Sequence, residues 1–386
     1  MKTVLITGGA GFIAHHLIAR ILTQTDWKIV TLDRLDYSGN LNRLNDILQY
    51  ECSPNERKRV KVVFHDLKAE LNPLVRREIG KVDYIGNLNR LNDILHYECT
   101  PNERKRVKVL FHDLKAELNP LVRRDIGKVD YILHLAAGSH VDRSIDYPME
   151  FVMDNVVGTC NILDFARSLD HLERFLYFST DEVFGPAPDG IRYSENDRYN
   201  STNPYSATKA GGEELAVAYE NTYQLPIYIT HTMNVFGERQ HPEKFIPMCI
   251  RKIRDNQKVT IHSDKTRTVP GSRHYIHADD VASAVLFLIN YEGKFSPTWG
   301  NAKCPKFNIV GAEELDNLKL AKVIASTQDK ELKYEMVDFH SSRPGHDLRY
   351  ALDGSKMREL GWTPDTTVVE RLRDVTTWTL RNERWL

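Results

Sequence analysis

The chain has 386 residues, 41% of them hydrophobic and 27% charged, enough to bury a sizeable core in one large domain or two intimately joined ones, which excludes a disordered chain. Its 52 Lys and Arg balance 53 Asp and Glu, so there is no excess positive field for nucleic acid or an anionic membrane, and no run reaches the ~18 apolar residues of a membrane span. The N-terminus MKTVLITGGAGF lacks the apolar core and cleavage site of a secretory signal, and five cysteines (Cys52, Cys99, Cys160, Cys249, Cys304) without a CxxC pair suit a reducing cytoplasm.

Residues 2–7, KTVLIT, read as a short apolar strand, followed by Gly8-Gly9-Ala10-Gly11-Phe12-Ile13-Ala14 and an amphipathic helix through Leu22. Strand, glycine turn and helix form the context of a dinucleotide site. Gly8 permits the tight turn, Gly11 lets a pyrophosphate approach the backbone, and the helix N-terminus offers unpaired N–H groups to the anion. Taken alone, the pattern is also that of an ordinary glycine turn. The second strand, WKIVTLD, ends at Asp33, 22 residues after Gly11, where a carboxylate accepts the ribose hydroxyls of NAD and repels a 2′-phosphate. NAD is the expected cofactor, although Arg34, next in line, is a residue that favours NADP.

Residues 39–85 recur at 86–132, differing at four positions: Gln49/His96, Ser53/Thr100, Val63/Leu110 and Glu78/Asp125. Two copies flanked by unrelated sequence are a tandem duplication rather than a stacked array. Each reads as helix, strand, helix and the start of another strand, with VKVVFHD and VKVLFHD the strands. Removing one copy leaves 386 − 47 = 339 residues and a complete alternation of elements, so one copy is surplus. The second runs unbroken into KVDYILHLAA and is expected to be the integrated one. Asp66 and Asp113, the paired FHD aspartates, suit the adenine amino group or a helix cap, and only one should touch cofactor.

YILHLAAGSH ends a strand in small residues, Ala136 among them, as needed where backbone lies against a cofactor. RFLYFSTDEVFG (174–185) is an apolar strand that stops in Ser179-Thr180-Asp181-Glu182. After NSTNP, a helix start, Tyr205 and Lys209 stand four residues apart and share a helix face. A neighbouring ammonium and an oxidised nicotinamide ring both favour the phenolate, so Tyr205 is expected to titrate nearer physiological pH and to remove an alcohol proton. A YxxxK pair by itself is also an ordinary surface helix pair.

TGGAGFI, LDRLDYSGN, LAAGSHVDRSI, DNVVGT, STDEVFG, NPYSATKAGGE, NVFG, HPEKFIP and RPGHDLRYALD together resemble an extended short-chain dehydrogenase/reductase, most closely the nucleotide-sugar 4,6-dehydratases of the dTDP-glucose and UDP-glucose type. Apart from the repeat, the resemblance spans nearly the whole chain in order. It implies that Thr180 hydrogen-bonds the C4 oxygen, Asp181 is the acid for the C6 hydroxyl and Glu182 the base for the C5 proton, beside Tyr205 and Lys209. Physics alone does not divide acid from base, and consecutive strand residues point apart, so the chain must turn here for both carboxyls to face a sugar. The implied cycle oxidises C4 with NAD, eliminates water across C5 and C6, and returns the hydride to C6, giving a 4-keto-6-deoxy sugar with no net redox change.

The cofactor set expected on this basis is Gly8, Gly11, Phe12, Ile13, Asp33, Asp66, Asp113, Leu114, Ala136, Tyr205 and Lys209. Arg273, Arg343 and His346 are the expected pyrophosphate partners. Ser139, Asn234 and Asn308 fit polar contacts to phosphate or sugar, and Lys244, Phe245 and Pro247 would border the nucleotide. No HExxH-like pattern is present, so no metal is expected. Four features depart from the pattern. Ala14 replaces a glycine, Gly138 replaces an acid, His231 occupies a place often held by Arg, and Lys265 to Ser272 is longer than usual.

The alternation implies an α/β fold: a Rossmann-type doubly wound parallel sheet with a smaller C-terminal α/β substrate-binding region. Residues 1–233, repeat included, are the expected NAD-binding domain, and 234–386 mainly the nucleotide-sugar-binding region, interleaved with the first. The helices of FVMDNVVGTCNILDFARSL and YSATKAGGEELAVAYENTY carry apolar stripes that, by resemblance, form a homodimeric four-helix bundle. An epimerase or decarboxylase of the same fold, whose chemistry does not need Asp181 plus Glu182, and a non-catalytic NAD-binding scaffold are the competing readings.

Overall fold

The computed structural model describes residues 1–34, 106–292, 304–338 and 349–386. Six strands are laid down first: β1 (Thr3–Thr7), β2 (Lys28–Asp33), β3 (Val107–Phe111), β4 (Tyr131–His134), β5 (Arg174–Thr180) and β6 (Ile227–Thr232). The chain then leaves their sheet for β7 (Val235–Phe236), β8 (Val259–Ser263), β9 (Ser272–His274) and β10 (Ile276–His277), and returns for β11 (Lys306–Ile309). It ends its strands with β12 (Glu314–Asp316) and β13 (Tyr334–Asp338).

The central sheet runs β11-β6-β5-β4-β1-β2-β3 and is parallel throughout. This is the doubly wound Rossmann-type order, and its reversal between β1 and β4 opens the crevice in which such sheets hold ligands. The two faces follow from period-2 alternation. Val4, Ile6, Leu176 and Phe178 pack beneath helices Phe12–Gln24 and Ala278–Asn290, whereas Leu5, Phe175 and Tyr177 pack beneath helices Gly158–Arg167 and Pro204–Tyr223. A separate apolar cluster, including Phe236, Ile250, Ile261, Leu315, Ile324 and Leu372, knits the C-terminal strands and helices together.

The second repeat copy supplies the edge strand, with Ile29 opposite Val107 and Asp33 opposite Phe111, and the following helix Pro120–Ile126 is capped by Asn119. Residues 39–85 lie outside the described residues. The apolar segment around FVMDNVVGTC is not one uniform helix. A short α-turn, Pro148–Phe151, widens into a π-helical segment, Val152–Val157, before α-geometry resumes at Gly158–Arg167. Asn155, in the widened turn, accepts from the Gly138 N–H at 2.8 Å and donates to the Gly138 carbonyl at 3.1 Å. Among the described residues no helix is long and apolar enough to cross a membrane.

Candidate active site

At the C-terminal end of β5 the backbone stops being a strand. Thr180 is still extended, but Asp181–Phe184 form a 3₁₀ turn, so Asp181 and Glu182 are freed from strand alternation. Thr180, Asp181 and Glu182 line one cleft of about 470 Å³ together with Tyr205 and Lys209. The latter two are presented by helix Pro204–Tyr223, which starts at Asn203 because its Oδ1 accepts the Ser206 N–H, the Ser206 hydroxyl faces back to the Asn203 N–H, and Pro204 occupies the first helical position.

The acids are held differently. Asp181 Oδ1 accepts from the Thr180 hydroxyl at 3.0 Å, while its buried Oδ2 has no partner among the described residues. Glu182 Oε2 accepts from Asn203 Nδ2 at 3.1 Å. Burial raises the Asp181 carboxyl to about 6, against the Thr180 hydrogen bond and the Arg273 charge. Burial and the Asp181 charge raise Glu182 to about 7, against Asn203, Arg273 and Lys244. Between these values the pair carries about one proton, the state in which one carboxyl can donate while the other accepts.

Tyr205 does not behave as expected. Burial and the Glu182 and Asp181 charges push its phenol above the ordinary value, and a hydrogen bond joining it to Thr180 opposes them. Lys209, one turn further on, is turned inward, where Nζ donates to the Phe178 carbonyl at 2.6 Å and lies 4.3 Å from the Tyr177 ring centroid. Burial in turn lowers Lys209 to about 7. In the protein alone the phenolate is therefore disfavoured.

At the other end of the cleft, Gly8, Gly11, Phe12, Ile13, Asp33, Asp113, Leu114 and Ala136 supply lining atoms. Gly8 sits at φ +69°, and a Cβ there would stand 2.9 Å from Ala136 Cα; one on Gly11 would stand 2.8 Å from the Gly8 carbonyl oxygen. Helix Phe12–Gln24 starts at Gly11 with no side-chain cap and no acid in its first turn, leaving its N–H groups for an anion. Asp33 Oδ2 accepts the Ala10 N–H at 2.9 Å, which ties the ribose-side carboxylate to the glycine turn. These features fit a dinucleotide. Asp66 lies outside the described residues.

On the substrate side, Ser139, Asn234 and Lys244 line the same cleft. Arg273 stacks 4.7 Å over the Tyr350 ring and is close enough to both acids to lower their titration. Phe245 and Pro247 open helix Phe245–Arg254, with Pro247 buried; neither lines the cleft. Asn308 requires a correction. It is fully buried in β11, where Nδ2 donates to the Tyr193 and Asp353 carbonyls, both at 3.0 Å, and Oδ1 pairs with His231 Nδ1 at 3.1 Å, so its amide is used by the protein rather than offered to a ligand. Arg343 and His346 lie outside the described residues. Sequence reasoning missed Asn203 as a partner of Glu182; its signal was NSTNP, read only as a helix start. No group of three or more His, Cys, Asp or Glu side chains arranged to hold a metal occurs among the described residues.

A family model described as GDP-mannose 4,6 dehydratase matches residues 74–375, and one described as the NAD dependent epimerase/dehydratase family matches residues 4–103. The chain is 33% identical over 371 residues to the low-salt glycan biosynthesis protein Agl12 of Haloferax volcanii, covering 94% of this chain and 93% of that protein. It is 31% identical over 408 residues to the dTDP-glucose 4,6-dehydratase of Salmonella typhimurium, covering 99% and 94%. Its fold is similar to that of DesIV, a dTDP-glucose 4,6-dehydratase from Streptomyces venezuelae solved with NAD and TYD bound, with a TM-score of 0.72 and 27% identity over 100% of this chain and 98% of that one. With the adjacent acids, the tyrosine and the lysine lining the same cleft as the glycine turn, these likenesses identify the chain as a member of the nucleotide-sugar 4,6-dehydratases of the NAD-dependent epimerase/dehydratase family.

Proposed function

We propose that this protein converts an NDP-hexose, dTDP-glucose or UDP-glucose, to the corresponding 4-keto-6-deoxyhexose. The observation that carries this reading is the turn at Asp181–Phe184, which lets two adjacent carboxyls share a cleft with Tyr205 and Lys209. Epimerisation at C4 needs no such pair.

NAD, when bound, supplies the electron-pair acceptor at C4 and the donor at C6, and its positive ring offsets the burial that holds the Tyr205 phenol up. Tyr205 takes the C4 hydroxyl proton, with Thr180 hydrogen-bonded beside it. The new ketone acidifies C5. Glu182 removes the C5 proton while Asp181 protonates the departing C6 oxygen, and the proton on Glu182 later returns to C5. Burial raises both carboxyls, so either can hold a proton near neutral pH, and the division of acid from base between them follows the family resemblance. Lys209 positions the site through its bond to the Phe178 carbonyl. Ser139, Asn234, Lys244 and Arg273 would contact the sugar and pyrophosphate, with Phe245 and Pro247 behind them. In this reading residues 1–233 chiefly serve the cofactor and 234–386 the nucleotide sugar.

A homodimer through helices Gly158–Arg167 and Pro204–Tyr223 belongs to the same proposal, supported by exposed apolar side chains at Met149, Met153 and Tyr223 on or beside them. A cytoplasmic setting is supported by free thiols at Cys160, Cys249 and Cys304. The test of function is mass spectrometry of products from a panel of NDP-hexoses. Loss of one water from dTDP- or UDP-glucose is expected; a 4-epimer of unchanged mass, or no product, would overturn the proposal.

A further inference from the structure

Arg34 follows the ribose-side Asp33, and an arginine there is suited to a 2′-phosphate. In this fold its guanidinium is committed elsewhere. Nη1 and Nη2 donate to the two carboxylate oxygens of Asp154 at 2.6 and 2.7 Å, and Lys115 Nζ reaches the same carboxylate at 2.9 Å. The Asp154 side chain is 8% exposed, against 25% for Arg34 and 20% for Lys115. All three line the cleft with Asp33 and Asp113.

The placement of Asp154 has a local cause. It lies in the π-helical segment Val152–Val157, whose next residue, Asn155, grips both backbone polar groups of Gly138. A Cβ at position 138 would stand 3.3 Å from Asp154 Oδ2 and 3.1 Å from the Phe151 ring, so the bare glycine leaves this carboxylate its room. Burial raises Asp154, but Arg34 and Lys115 outweigh it and hold the carboxyl below its usual range. Among the described residues, Arg34 also lies 3.8 Å from an Asp113 oxygen, so its charge and that of Lys115 are met by Asp154 and Asp113, with Asp33 lining the same cleft, a set of acids that opposes a further dianion.

We infer that Asp154 is a specificity-determining residue for the dinucleotide: by holding Arg34 and Lys115 as internal counter-ions it withholds them from a 2′-phosphate and sets the preference for NAD over NADP. This rests on the cofactor site described above. The bidentate pairing fixes the guanidinium plane as well as its charge, so a 2′-phosphate would have to displace a well-formed contact to use it.

The experiment is calorimetric titration of the full-length chain, freed of dinucleotide, with NAD and with NADP, for the wild type, D154N, D154E and the double variant R34A/D154N. The NADP-to-NAD affinity ratio is expected to rise at least about tenfold in D154N, to stay near wild type in D154E and to fall back in the double variant. D154T removes the same charge in a smaller side chain and supplies a second reading where D154N folds poorly. An unchanged ratio in either folded variant, or an equal loss of both ligands, overturns the inference. A wild type that binds neither dinucleotide overturns the underlying site and this assignment with it, and so separates the two failures.

Discussion

Asn203 bonds in two directions: Nδ2 donates to Glu182 Oε2 at 3.1 Å and Oδ1 accepts the Ser206 N–H at 2.8 Å. One amide therefore caps the helix carrying Tyr205 and Lys209 and fixes an acid on the turn facing them. Asn203→Ala is expected to lower stability by about 0.5–2 kcal/mol through the lost cap. Asn203→Asp keeps a capping oxygen but sets a second anion beside Glu182. Its pH–rate profile should move further to alkaline pH than that of Asn203→Ala, and an unmoved profile would contradict the role assigned to this contact.

Glu182→Gln preserves size and the contact with Asn203 but removes the proton acceptor. Substrate is expected still to reduce part of the bound NAD, seen in the absorbance of the reduced ring, while water loss falls by at least about 100-fold. Dehydration at the wild-type rate would refute the assignment of Glu182 as the C5 base.

The two raised carboxyls also predict how stability responds to pH. Each is higher in the folded protein, at about 6 and about 7, than the ordinary carboxylate value, so the native state binds more protons and the advantage present at low pH is lost as pH rises from about 4 through 7. The double variant D181N/E182Q should therefore be more stable than the wild type at pH 8, by on the order of a few kcal/mol, and match it near pH 4. Lys209, lowered to about 7 by burial, acts in the opposite sense, adding stability as pH rises from about 7 towards the ordinary lysine range. Melting curves of the variant and of Lys209→Met across pH separate the two contributions.

Asn308→Ala removes a partner from His231 and from the Tyr193 and Asp353 carbonyls at once. A drop in stability of at least about 1–3 kcal/mol is expected, with KM little changed in the protein that remains folded. A raised KM at unaltered melting temperature would restore the substrate-contact reading.

Deleting residues 39–85 should preserve folding and NAD content, because β3 is drawn from the second copy and pairs with β2 along its length. An insoluble or cofactor-free product would show that the first copy is integral. Retained NAD, read from the spectrum of the released nucleotide, is the measurement.

The parallel doubly wound sheet and the glycine turn at its first strand were legible in the amino-acid sequence because they depend on local signals. Gly8 and Gly11 mark positions that a Cβ cannot occupy, Asp33 ends a short apolar strand, and Tyr205 and Lys209 share a face at helical spacing. The adjacency of Asp181 and Glu182 was equally plain, but their joint approach to one cleft depends on the 3₁₀ turn that ends strand alternation. Other matters were decided only by contacts between residues far apart in the chain. Lys209 spends its ammonium on the Phe178 carbonyl, Asn308 is consumed by His231 and two carbonyls, and Arg34 is claimed by Asp154 across 120 positions of sequence. A side chain's type states what it can bond to; which partner it meets is set by packing, and packing alone distinguishes a group held for the protein from one presented to a ligand.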